Sequence, residues 1–97
     1  MKFSERVYRL CKRIPKGKIT TYKIVAEALK SKGYRAVGNV LNKNRNKDVP
    51  CHRIIDSKGH LHGFYSGIKN KERLLKKEGL KIKNKGVVDF EKYLYRF

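Results

Sequence analysis

Positive charge sets the tightest limit on what this chain can fold into. Twenty-six lysines and arginines stand against eight aspartates and glutamates in 97 residues, a formal net charge of +18. Charged side chains stay at the surface unless they are paired, so the core must be built from the 39% of residues that are apolar. A chain this short buries only about 60–65% of its unfolded surface. The length therefore allows one thin core and one domain over residues 1–97. Like charge at this density repels itself and opposes compaction, and a polyanionic partner relieves that cost.

A lysine-rich surface of the heat-stable kind normally matches lysine with glutamate, and this one does not. Nucleic acid and anionic membrane both suit the charge. No stretch approaches the roughly 18 apolar residues of a membrane span, and the N-terminus lacks the apolar run of a signal peptide. The expectation is an intracellular, cytoplasmic monomer that binds nucleic acid and no membrane. Cys11 and Cys51 lie far apart among different neighbours, so no disulfide framework is indicated.

Phe3, Val7, Leu10, Cys11 and Ile14 recur at helical spacing, which puts Cys11 on the buried face of a first helix ending before Pro15 and Gly17. Thr20 or Thr21 can cap a second helix with Tyr22 or Ile24, Val25, Ala28 and Leu29 inward, stopping at Gly33. A third helix follows over Arg35 to Asn42, with Val37, Val40 and Leu41 inward. Two short helices joined through a glycine turn form a helix-turn-helix pattern, which the charge makes meaningful. The outward positions of the third helix, Arg35, Ala36, Gly38, Asn39 and Asn42, combine small and polar residues, so its backbone can approach a nucleic-acid groove closely.

The polar stretch from Lys43 to Asp48 reads as a loop leading to Val49-Pro50-Cys51-His52. Arg53 to Ile55 and Leu61 to Tyr65 read as two strands around the turn Asp56 to Gly59, a hairpin or wing. Ile68 to Lys77 reads as a basic helix with Leu74 and Leu75 inward and Gly79 at its stop. The fold class is mainly α with a small β-hairpin, a winged-helix-like helix-turn-helix domain with its core over 3–80 and a packing tail over 81–97.

Cys51 stands directly before His52, after Pro50 and at the end of a polar loop. Thiolate is the reactive form of cysteine, and neighbouring His, Arg and Lys are expected to lower its pKa and make it a nucleophile. His60 and His62, taken with Cys51 and His52, match no standard zinc ligand spacing, so neither metal nor cofactor is expected.

Ile14-Pro15-Lys16-Gly17-Lys18, Thr21-Tyr22, Arg35-Ala36-Val37-Gly38, Val49-Pro50-Cys51-His52-Arg53-Ile54-Ile55, Tyr65-Ser66-Gly67 and Glu78-Gly79 occur in one order. That order and spacing resemble the C-terminal domain of O6-alkylguanine-DNA alkyltransferases over residues 3 to 80. The resemblance implies that Cys51 accepts an alkyl group, and that His52, acting through a water and oriented by Glu78, generates its thiolate. It implies that Tyr22 crowds the phosphate of the target nucleotide while Arg35 fills the space that the flipped base leaves in the stack. It further implies that Asn44 ties the third helix to the active-site turn, and that Tyr65, Ser66 and Gly67 close over the base. By the same resemblance, Lys71 is expected to support the pocket and the carbonyl of Ile54 to read the exocyclic amine. The partner so implied is double-stranded DNA carrying alkylated guanine, and a thioether product makes the reaction a single turnover.

Three departures from the family pattern stand out. Full-length alkyltransferases usually carry an N-terminal domain that is missing from this sequence, the loop before Cys51 is about one residue short, and a small insertion falls around His60 to Gly63. The chain also resembles the single-domain alkyltransferase-like proteins, which bind O6-alkylguanine and flag it without transfer. Their tail is similar to Asp89 to Tyr93 with Leu94, but another residue replaces their nucleophile, and here Cys51 is present. A non-enzymatic basic helix-turn-helix protein is a third class, one that leaves Cys51, His52 and Tyr22 without a task.

Overall fold

The computed structural model describes residues 1–31, 33–61 and 67–97. Four helices carry the architecture: α1 (Phe3–Cys11), α2 (Tyr22–Ala28), α3 (Tyr34–Asn42) and α4 (Ile68–Lys77). Among the described residues the strands are β1 (Thr20–Thr21), β2 (Ile54–Ile55), β3 (Ile82–Lys83) and β4 (Gly86–Val87), with 3-10 turns at Cys51–Arg53 and Phe90–Tyr93. No described helix is long and apolar enough to cross a membrane.

Helix α1 places Val7 and Cys11 one turn apart, both fully buried, and Ile14 joins them just past its end. Thr21 starts α2: its extended backbone leaves its hydroxyl oxygen to accept from the Ile24 amide at 3.0 Å, which satisfies an otherwise orphaned helical N–H. The stop comes earlier than the expected Gly33. Lys30 turns left-handed at φ 56° and the Ser31 amide closes onto the Ala26 carbonyl, so Gly33 instead opens α3. Ala28, expected to face inward, is exposed, and Ala26 is buried with Val25 and Leu29. A seven-residue helix packed against both α1 and α3 buries a flank that a single helical stripe does not describe. In α3, Val37 and Leu41 are buried and Val40 packs at the edge of the same cluster.

The expected hairpin is rearranged. Its turn exists, closed by the Asp56 amide on the His60 carbonyl. However, Ile54–Ile55 pairs in parallel with Thr20–Thr21, Thr20 opposite Ile54 and Thr21 opposite Ile55. The far arm past Leu61 lies outside the described residues. The antiparallel hairpin is β3–β4, whose turn residues Asn84 and Lys85 are both left-handed, at φ 51° and 60°. Two consecutive left-handed residues match the twist of the flanking strands. Ile55 and β4's Val87 then join Ile19, Leu61, Leu75 and Leu80 in a second apolar cluster. The tail docks there too: Ile19 donates to the Tyr93 carbonyl at 2.9 Å and accepts from the Tyr95 amide at 2.7 Å.

Candidate functional site

The parallel pairing of β1 with β2 decides where the chemistry sits. Tyr22 follows β1 directly and Cys51–Arg53 precedes β2 directly, so two segments distant in sequence meet side by side. Pro50 is buried, and its carbonyl accepts from the Arg53 amide, which holds Cys51–Arg53 in one tight turn. Cys51 is 5% exposed. Asn44, just past the end of α3 and itself buried, donates its side-chain amide to the Cys51 Sγ at 3.0 Å. The oxygen of that side-chain amide accepts from the Asn46 amide, so the orientation of Asn44 is fixed from both ends.

Burial pushes the Cys51 thiol above its ordinary value, although the Asn44 hydrogen bond and the nearby Lys71 charge pull the other way. This corrects the expectation that its basic neighbours lower the pKa: they act, but removal from water costs the anion more. Cys11 is pushed up to about 12 by burial and then by Cys51, as befits an inert core thiol.

His52 and Glu78 form a pair at 2.6 Å between Nε2 and Oε2. Arg53 clamps the same carboxylate with both arms, Nε to Oε1 at 2.9 Å and Nη2 to Oε2 at 2.9 Å, while its Nη1 donates to the Ile14 carbonyl at 2.8 Å. The Gly17 amide adds a contact to Oε1 at 3.2 Å. Burial alone would raise Glu78, but the hydrogen bonds from Arg53, His52 and Gly17 outweigh it and hold the carboxyl at about 2. An ionised carboxylate only accepts, so Nε2 carries the ring proton and Nδ1 keeps its lone pair. Burial first, opposed by Glu78, lowers the His52 pKa, which leaves the imidazole neutral near pH 7. A neutral ring with a fixed tautomer, next in sequence to a thiol, is suited to take that thiol's proton.

Lys71 in α4 is fully buried and donates to the Ile54 carbonyl, its ammonium 5.9 Å from the centre of the Tyr22 ring. Burial lowers its pKa to about 8, against the pull of Cys51 and Asp56. Tyr22 is raised to about 12, by burial first and then by Cys51, so its phenol stays protonated. The Ile54 carbonyl, expected to read a base, thus already accepts from Lys71.

Tyr22 also borders a groove of about 520 Å³ lined by Lys23, Tyr34, Arg35, Gly38, Asn42, Asp56 and Ser57. Arg35, Gly38 and Asn42 meet there as the sequence suggested, whereas Ala36 and Asn39 are exposed outside its lining. A methyl at Gly38 would reach only ordinary contact with the Tyr22 ring, at 4.0 Å, so packing does not demand glycine; what it supplies is room on the groove floor. Tyr34, 55% exposed beside Arg35, was missed by sequence reasoning, although an aromatic at the start of a groove-facing helix was a legible signal. The hold of Arg53 on Glu78 was also missed, since only the fold brings them together. Gly67, at φ 95°, starts α4; Tyr65 and Ser66, expected to close over a base, lie outside the described residues, as does His62.

A family model described as the DNA-binding domain of 6-O-methylguanine DNA methyltransferase matches residues 2–80. The chain belongs to that family. It is 48% identical over 81 residues to the methylated-DNA–protein-cysteine methyltransferase of Sulfolobus acidocaldarius, a match covering 82% of this chain and 51% of that protein. It spans about half the length of this relative and of another methylated-DNA–protein-cysteine methyltransferase, that of Methanosarcina barkeri, and 30% of a bifunctional methyltransferase/endonuclease of Picrophilus torridus. Among solved structures, Mycobacterium tuberculosis OGT in complex with DNA superposes with a TM-score of 0.76 at 36% identity, over 80% of this chain and 49% of that one. S. pombe Atl1, in complex with damaged DNA containing O6-carboxymethylguanine, superposes with a TM-score of 0.86 at 26% identity over the whole of both chains.

Proposed function

We propose that this family member repairs DNA by drawing O6-alkylguanine out of the duplex and moving the alkyl group irreversibly onto Cys51. The reading is carried by one observation: the Glu78–His52 pair, 2.6 Å apart and held by Arg53, stands next to a thiol that Asn44 aims at 3.0 Å. His52, through a water, takes the thiol proton. The sulfur then bonds to the alkyl carbon as the carbon–O6 bond breaks, the bonding pair stays with the base, and the guanine anion takes up, by way of solvent, the proton that His52 removed as it reverts to its keto form. The raised resting pKa of Cys51 makes that proton transfer to His52 a necessary step. Tyr22 and Arg35, both lining the groove, are the groups for rotating the nucleotide and filling its place, and extrusion costs a few kcal/mol that phosphate contacts offset.

The full-length likeness to Atl1 favours a second reading, in which the lesion is bound and flagged without transfer. Incubation with a duplex carrying one O6-methylguanine, followed by intact and peptide mass measurement, separates the two. One added methyl on the Cys51 peptide supports transfer. Tight binding with unchanged mass supports flagging.

A further inference from the structure

We infer that the β3–β4 hairpin is a second DNA contact, a basic arm that grips backbone phosphates beside the groove, outside the family-matched region 2–80. The inference rests on the reading of the groove as the DNA site. Asp56 and Ser57 line that groove, and Lys58, the next residue, lines a separate shallow cleft of about 330 Å³ with His60, Lys83 and Asn84. One turn therefore borders both surfaces.

The hairpin is fastened to that turn rather than swinging free. Val87 donates to the Gly59 carbonyl at 2.9 Å, Leu61 donates to the Lys85 carbonyl at 2.8 Å, and His60 bridges to Gly86. Gly59 is left-handed at φ 89° and a Cβ there would strike the Phe90 ring at 2.4 Å, so the tail clamps the turn from its other side. Lys58, Lys83 and Lys85 are all exposed. Asp56, in the same turn, spends Oδ1 on the Lys58 and His60 amides, at 2.9 and 2.8 Å, while Asp89 and Glu91 belong to the tail that follows β4. Exposed lysines on a hairpin fastened to the turn that borders the groove fit the regularly spaced phosphates of a duplex.

The test compares salt dependence of binding to undamaged duplex for the unaltered chain, for Lys58→Gln/Lys83→Gln/Lys85→Gln, and for Lys2→Gln/Arg9→Gln/Lys12→Gln on and beside α1. Each phosphate contact contributes about 0.9 to the slope of log K against log salt. The hairpin variant should lose about 2 to 3 of that slope and bind at least about tenfold more weakly at moderate salt. The α1 variant should lose much less. Transfer from free O6-methylguanine base should be unchanged in the hairpin variant. An unchanged slope in the hairpin variant, or an equal loss in both variants, overturns the arm and leaves the groove reading standing. No binding by the unaltered chain overturns the groove reading itself.

Discussion

Cys51 and Glu78 show how one protein holds two ionisable groups in opposite conditions within a single site. Burial keeps the thiol protonated, while three donors keep the carboxylate charged. If sulfur is the acceptor, Cys51→Ser keeps the groove and retains lesion binding but gains no mass from an O6-methylguanine duplex; a methylated serine variant would remove Cys51 from the mechanism. Glu78 also ties stability to pH. Its folded pKa lies below the ordinary 4.5, at about 2, so its contribution is complete above 4.5 and is lost as pH falls from there towards 2. Urea unfolding of the unaltered chain should weaken across that window, whereas Glu78→Gln should be about 2 kcal/mol less stable at neutral pH and nearly flat between pH 5 and 2. A steep acid limb in the variant would assign the effect to other carboxylates.

Among the elements, the helices were the most legible and the strands the least. Helical spacing marked Val7, Cys11, Val37, Leu41 and Leu75, all of them buried, and the Thr21 cap forms as its chemistry suggests. Strands of two residues carry no periodicity, so nothing in Thr20-Thr21 advertises a parallel partner at Ile54-Ile55. The turn of β3–β4 was hidden for another reason: Lys83-Asn84-Lys85-Gly86 reads as one more charged run, and its left-handed pair becomes visible only in the backbone. Gly59 tests how firmly the tail holds the 56–60 turn. Gly59→Ala introduces a disfavoured backbone angle and a collision with Phe90, and should cost about 2–4 kcal/mol in denaturant unfolding. A change under about 0.5 kcal/mol would mean that the clamp is loose.

For the whole molecule, charge sets the behaviour. With +18 on 97 residues, affinity for undamaged duplex should fall with salt at a slope of about −4 to −6. A flat response would exclude DNA as the partner. That excess of lysine, the Cys51-His52 dipeptide and the helix-turn-helix spacing can all be read along the chain, because charge, local order and helical period are properties of neighbours in sequence. The protonation of the thiol is not such a property, since it depends on how much water the fold removes. Nor is the meeting of Arg53 with Glu78, of Asn44 with Cys51, or of Lys71 with the Ile54 carbonyl. Each of these contacts joins different segments of the chain, brought together by the β1–β2 pairing and the two apolar clusters, and only packing selects which of many such encounters survives.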